Sequence, residues 1–155
     1  MKKVENILAP TDLSELSLLG LQYALDLARG WGAKVTVYHV ASAAEFANYK
    51  ASSLQDLLDR HQKALSQFLS EKFADLLPLV EVREKVEIGS PAANILAEAE
   101  KEGSDLIVMS THGRTGLAHI LMGSVTEKVV RDAVCPVFSV HQPRERKEPP
   151  RKSAD

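Results

Sequence analysis

The chain has 155 residues, the size of one domain with one core, and a globular chain of this length buries roughly 70% of its unfolded surface. With 45% hydrophobic and 26% charged residues, 8 Gly and 7 Pro, it is neither collagen-like nor low-complexity nor largely disordered. Lys plus Arg total 19 against 21 Asp plus Glu, so no chain-wide basic excess favours nucleic acid or an anionic membrane, and any phosphate binding has to be local. The single Cys135 excludes an internal disulfide and a cysteine-rich zinc site, and it fits a reducing compartment. No apolar run approaches a membrane span, and Met1-Lys2-Lys3 leads into a strand-like segment, so the chain reads as cytoplasmic.

Val4 to Ala9 is a short, mostly apolar run stopped by Pro10, the pattern of a buried strand entering a turn. Asp12-Leu-Ser-Glu15 sets an N-cap acid three residues before a Glu, and Leu21, Ala24, Leu25 and Ala28 then recur at helical spacing until Gly30. Lys34 to Val40 (KVTVYHV) is a strand, whereas Ala41 to Ser53 has no sustained period and reads as a loop. From Leu54 the positions Leu57, Leu58, Leu65, Phe68, Leu69 and Leu76 trace an amphipathic helix that Pro78 terminates. Leu79 to Ile88 alternates as a half-exposed edge strand with a slip near Glu84. Ser90-Pro91 opens a helix to Gly103 with an N-cap hydroxyl, and Leu106 to Met109 is a fully apolar strand. A glycine-containing loop, Thr111 to Gly123, precedes Ser124-Val-Thr-Glu127, a capping-box match at the start of the last helix. Val137 to Val140 is the last strand, and residues 142–155, charged and proline-rich without an aromatic, are expected to be a disordered tail. Strands alternating with four helices predict a doubly wound parallel sheet, whose ligand crevice lies beyond the strands' carboxyl ends.

Two neighbouring segments can meet at such a crevice. The loop from Ser110 to Ser124 leaves an apolar strand and ends at a helix N-terminus. Its glycines permit positive φ and close backbone approach, and the unpaired N–H groups of Val125 and Thr126, the Ser124 hydroxyl and the helix dipole suit an anion. Equally physical is a purely local reading, in which Gly113, Gly116 and Gly123 serve turns and Ser124 caps the helix with Glu127. No GxxxxGK[ST] occurs, and the turn after the first strand, Pro10-Thr11-Asp12, is not GxGxxG. His112 and His119, seven apart, do not make a metal set, while His39 and His61 read as packed, hydrogen-bonded residues. Ser124 has no base nearby in sequence, which argues against covalent catalysis. Cys135, before Pro136, reads as a small buried hydrophobe.

The loop resembles the G-x2-G-x9-G-[ST] motif carried by nucleotide-binding members of the universal stress protein family. Ser110 stands at the first glycine position, followed by Gly113, Gly123 and Ser124. Other landmarks are similar in order: ILAPTDLSELS with Asp12, a strand ending YHV at Val40, IGSP at 88–91 and CPVFSV after the last helix, together spanning residues 3–141. The resemblance implies a single α/β domain over 1–141 with a five-stranded parallel sheet in the order 3-2-1-4-5. It further implies ATP at the junction of strands one and four. Asp12 and Val40 would hold the adenine and its ribose end, with Pro10 and Thr11 of the same turn in the site. The backbone of Met109 and Ser110 would flank the ribose, and Gly113, Gly123, Ser124, Val125 and Thr126 would surround the phosphates. Arg114, by position alone, would screen phosphate charge. A divalent cation, Mg²⁺ or Mn²⁺, would ride on the phosphates, with no protein metal ligand.

Two classes of function follow. One is an ATP-binding regulatory module with an unknown partner and at most slow hydrolysis or self-phosphorylation; the other is an interaction protein of the same fold that acts through a dimer surface without nucleotide. Glycine at 113 and 123 keeps a phosphate site open and favours binding. Apolar Val137, Phe138 and Val140 in the last strand, at a sheet edge, fit the homodimer that the resemblance implies.

Overall fold

The structure, a computed structural model, describes residues 2–48, 53–112 and 122–142. Its strands β1 (Asn6–Pro10), β2 (Lys34–Ser42), β3 (Glu81–Gly89), β4 (Leu106–Ser110) and β5 (Val137–Val140) form one parallel sheet ordered β3-β2-β1-β4-β5. This is the order that the family resemblance implies. Helices α1 (Leu18–Trp31), α2 (Ala43–Asn48), α3 (Leu54–Phe73), α4 (Pro91–Lys101) and α5 (Ser124–Asp132) flank it among the described residues, one more than the four expected.

Strand alternation sorts the core into two layers. Ile7, Ala9, Val35, Val37 and Val108 face Leu21 and Leu25 of α1 and Leu65 and Leu69 of α3. Leu8, Tyr38, Ile107 and Met109 face Ile95 and Ala99 of α4 and Val129 of α5. Central strands covered on both sides carry unbroken apolar runs, and each fully buried aliphatic side chain contributes roughly 1.5–3 kcal/mol. α1 approaches β4 closely at Gly20, where a Cβ would stand 2.6 Å from the Ser110 nitrogen.

Several connections depart from the sequence expectations for local reasons. α1 continues past Gly30 because the left-handed residue that closes it is Gly32 (φ 66°), whose N–H returns to the Ala28 carbonyl. Residues 41–53 extend β2 to Ser42 and include α2, a six-residue helix too short to show a period. The next helix ends at Phe73, and Pro78 instead sits in a 3-10 turn, Leu77–Leu79. β3 pairs with β2 in continuous register from Lys34↔Glu81 to Ser42↔Gly89, so there is no slip. Glu84 stays on the apolar face because α3 answers it: Gln62 Nε2 donates to its carboxylate at 3.0 Å, and Ser66 Oγ donates as well.

The two sheet edges differ in chemistry. On β3, Lys85 Nζ donates to both oxygens of buried Glu98, at 2.8 and 2.7 Å. On β5, Phe138 is 40% exposed and meets Tyr23 edge to face at 5.6 Å. Val137 packs against the α4–α5 layer and Val140 is buried, so Phe138 is the apolar residue of that trio whose side chain is exposed. Cys135 is half-buried against the same layer, and burial pushes its thiol pKa up. Among the described residues no helix is long and apolar enough to cross a membrane. The expected tail lies outside the described residues from residue 143 onward.

Candidate functional site

One residue type opens the sheet at its carboxyl end. Thr11 N–H donates to the Tyr38 carbonyl (2.9 Å) while the Asn6 carbonyl accepts from Asp105 N–H, so odd residues of β1 turn their peptides to β2 and even ones to β4. Pro10 falls on the β4 side and has no N–H to give. Accordingly the β1–β4 register ends at Leu8↔Ile107, whereas β1–β2 continues to Pro10↔Tyr38. The crossovers then leave in opposite directions, and a gap remains between the strand ends.

The turn after β1 is cross-braced by side chains. Thr11 Oγ1 accepts from Leu13 N–H (3.0 Å) and hydrogen-bonds Ser17 Oγ (2.7 Å). Asp12 Oδ1 accepts from the N–H and the hydroxyl of Ser14, at 3.0 and 2.5 Å. This is an Asx turn with Leu13 in the left-handed region (φ 63°), so Asp12 does not cap a helix; the first helical turn starts at Glu15 with Ser14 as its N-cap.

Across the gap, α5 starts with Gly123 as N-cap, and Ser124 is its first helical residue rather than its cap. The first intrahelical bond runs from Glu127 N–H to the Gly123 carbonyl, which leaves the N–H groups of Ser124, Val125 and Thr126 ahead of the helical ladder, at the positive end of the dipole. Gly123 has φ −68°, so it is required for closeness and not for a left-handed turn. Its N–H donates to the Thr111 carbonyl (2.7 Å), and a Cβ there would sit 3.2 Å from that same oxygen. Thr126 Oγ1 donates to the Ser110 carbonyl (3.0 Å) and ties α5 to β4. The Ser110 hydroxyl points toward α1 and accepts from Gly20 N–H (3.0 Å), so the residue that replaces a motif glycine satisfies an early N–H of a helix.

Between these ends lies a cavity of about 290 Å³. Pro10 lines it from β1, Thr11 and Asp12 from the turn that follows, Val40 from β2, and Met109 and Ser110 from β4. Gly123, Ser124, Val125 and Thr126 line it from α5. Gly113 and Arg114 lie outside the described residues. Tyr38, His39 and Pro91, which fall in the YHV and IGSP landmarks but are not among the expected site residues, also form its wall, as do Glu45 and Ile95, which lie in no motif. Tyr38 is locked there: its hydroxyl donates to Glu87 Oε2 at 2.6 Å. Burial, and then that bond, pushes the phenol pKa up. The same bond leads the causes that hold the Glu87 carboxyl below its ordinary pKa. His39 is 2% exposed and bonded at both ring nitrogens, the packed state expected of it. Val40 repeats the orientation of Tyr38 two residues on, so its peptide groups point past the end of β1 toward the gap.

A braced acidic turn facing a helix N-terminus across a switch-point cavity defines a doubly wound α/β domain with its crevice where that class of fold places one. A family model described as the universal stress protein family matches residues 3–141, and the chain belongs to that family. Universal stress protein MJ0531 of Methanocaldococcus jannaschii is 35% identical over 142 residues, covering 90% of this chain and 84% of that protein. The solved structure of MJ0577 from the same organism matches with a TM-score of 0.73 at 29% identity, covering 93% of this chain and 100% of that one. A universal stress protein of Archaeoglobus fulgidus, solved in complex with dAMP, shares the fold with a TM-score of 0.60 at 21% identity, covering 90% and 98%.

Proposed function

We propose that this chain is a cytoplasmic, adenine-nucleotide-binding regulatory module of the stress response, with ATP as its ligand. The observation that carries the reading is the sequence of chemistries along one cavity. At the β2 end, Tyr38, Val40, Pro91 and Ile95 offer an apolar slot for a base, with the Val40 peptide at its edge. Asp12, from the turn after the central strand, offers a carboxylate to ribose hydroxyls. Beyond β4, the Ser124 hydroxyl and the N–H groups of Val125 and Thr126 offer donors to phosphates. The adenine nucleotide held by the A. fulgidus relative supports the ligand class.

In this reading the protein's part is to bind, orient and screen. Phosphate oxygens would carry Mg²⁺ or Mn²⁺, which neutralises charge that the helix terminus only partly offsets. Turnover is at most slow, because Asp12 Oδ1 is engaged by both donors of Ser14 and does not stand ready to orient a water. The bound state would be read by a partner, with the two copies of a homodimer joined along β5 and Phe138 at the seam. In light scattering, Phe138→Glu should give monomers.

Titration calorimetry of nucleotide-stripped protein with ATP, with and without Mg²⁺, tests the site alongside Gly123→Val. Saturable binding that the variant loses is the expected result. No binding by the unsubstituted protein under either condition would favour an interaction protein that acts through its dimer surface.

A further inference from the structure

Behind the base end of the cavity, one carboxylate oxygen joins three elements. Glu87 Oε2, on β3, accepts from the Tyr38 hydroxyl of β2 at 2.6 Å and from Asn94 Nδ2 of α4 at 3.3 Å. The other oxygen, Oε1, lies 3.2 Å from Lys85 Nζ, which both oxygens of Glu98 hold in turn. Tyr38 forms part of the cavity wall, as do Pro91 and Ile95, which bracket Asn94 in sequence. Glu87 and Asn94 themselves stand outside the lining.

Asn94 is oriented from the helix start. Its Oδ1 accepts from Ser90 N–H (3.1 Å) and its own N–H donates to the Ser90 carbonyl (2.9 Å), which leaves the amide NH2 to face Glu87. Lys85, Glu87 and Gly89 alternate onto the face of β3 that meets α4. Gly89 makes room for the amide: a Cβ there would stand 2.4 Å from Asn94 Oδ1, so the glycine of IGSP is a matter of space. Glu87 is not there to satisfy a sealed hydroxyl. Its side chain is 36% exposed, so water can replace it on Tyr38, but water does not tie Tyr38 to Asn94. The Asn94 carbonyl stands 3.5 Å from the same hydroxyl, whose single proton goes to Glu87. With the carboxylate gone, that proton turns to the carbonyl or to water, and neither keeps the present spacing.

We infer that Glu87 is a positioning residue for the base end of the site: from behind the wall it clamps the first turn of α4 to β2, and so sets the width of the slot that Val40 forms with Pro91 and Ile95. This rests on the nucleotide reading, and it makes the slot's hold on a base depend on a residue outside the cavity lining. The phosphate end is anchored separately. Ser124, Val125 and Thr126 belong to α5, which Thr126 ties to the Ser110 carbonyl of β4. Loosening the clamp should therefore weaken the grip on the base and leave the grip on phosphates.

Calorimetry with ATP and with inorganic tripolyphosphate, each with Mg²⁺, separates the two ends, since tripolyphosphate has the phosphate chain without a base. Glu87→Ala should weaken ATP binding about tenfold and leave tripolyphosphate within about twofold. Glu87→Gln keeps an acceptor oxygen for Tyr38 and Asn94, and should bring ATP affinity back to within about threefold of the parent. Asn94→Asp keeps the acceptor for Ser90 N–H and adds a charge that a helix start favours, but it sets two carboxylates face to face. It should lose ATP affinity much as Glu87→Ala does, with no fall in Tm, and it decides the matter should Glu87→Ala not fold. An equal loss of both ligands in Glu87→Ala, no recovery in Glu87→Gln, or undiminished ATP binding in Asn94→Asp would overturn the positioning role. If the unsubstituted protein binds no ATP, the nucleotide reading falls, and amide exchange decides whether the clamp exists. Faster exchange at Asn94 and Ile95 in Glu87→Ala than in Glu87→Gln upholds it; equal exchange overturns it.

Discussion

The two ends of the β1–β4 pair solve the same problem in opposite ways. At the amino end, Asp105 closes the pair from within the chain: its Oδ2 accepts from the N–H groups of Glu5 and Asn6, each at 3.0 Å, and its Oδ1 pairs with Lys2 Nζ at 2.6 Å. At the carboxyl end, Pro10 withholds a donor, the strands stop pairing, and peptide groups at the start of α5 stay outside the helical ladder. One end uses its polar groups for stability. The other leaves them outside the sheet and helix ladders, on the side where a doubly wound sheet carries its crevice.

If that division is right, damage at the amino end should cost stability without touching the ligand. Asp105→Ala removes a charged acceptor from two backbone N–H groups, and bonds of this kind contribute about 1.5–3 kcal/mol each. Water can reach both freed N–H groups, so urea unfolding should show a loss below that sum, about 2–4 kcal/mol, with ATP affinity unchanged. The acid limb should change too. The Lys2 hydrogen bond first, and then the Glu5 N–H, hold the Asp105 carboxyl at a pKa of about 2, below the ordinary 3.8. A depressed carboxyl stabilises fully above its unfolded value and loses that contribution as pH falls toward 2, so the variant should lose less stability than the parent between about pH 4 and pH 2.

Thr11 sits on the border of the two regimes. Its buried hydroxyl braces Leu13 N–H and Ser17, so Thr11→Val leaves partners unpaired and should cost about 1–3 kcal/mol. For a domain of this size each kcal/mol lowers Tm by roughly 2–4 °C. A melt that does not move would show that the braced turn is not what holds the carboxyl end in shape.

Much of this is legible in the sequence, and the gaps have physical causes. The long strands and helices carry sustained periods, and the loops after β1 and β4 carry composition that marks a crevice. Strand order has no signature in periodicity and came through the family resemblance. α2 goes unseen because six residues show no period, and with it goes the place of Glu45 on the cavity wall. Glu84 looked like a slip because its partners, Gln62 and Ser66, lie on another element. The caps lie one or two residues from Asp12 and Ser124, at Ser14 and Gly123, since a Ser or Asp near a helix start fits an Asx turn, a cap or a first helical position equally well. The Ser110 hydroxyl, pointed at Gly20, depends on how α1 crosses β4 and has no local trace.

At the carboxyl end the balance should invert. Gly123→Ala places a Cβ 3.2 Å from the Thr111 oxygen, a contact that relaxes by a few tenths of an ångström and costs stability on the order of 1 kcal/mol or less. The same shift displaces the N–H groups that follow, so ATP affinity should fall about tenfold, for roughly 1.4 kcal/mol of binding.

Ser124→Ala should give the smallest effect and the cleanest separation. As the exposed first residue of α5, with Gly123 taking the cap, Ser124 can lose its hydroxyl with stability unchanged within about 0.5 kcal/mol. If that hydroxyl donates to a phosphate, ATP affinity should drop about two- to tenfold, the range of one hydrogen bond. Were the residue a helix cap instead, the variant would lose about 1 kcal/mol of stability and bind ATP as before. Calorimetry and a thermal melt on the same sample therefore report opposite patterns for the two roles, and the pattern decides whether the start of α5 belongs to the fold or to its ligand.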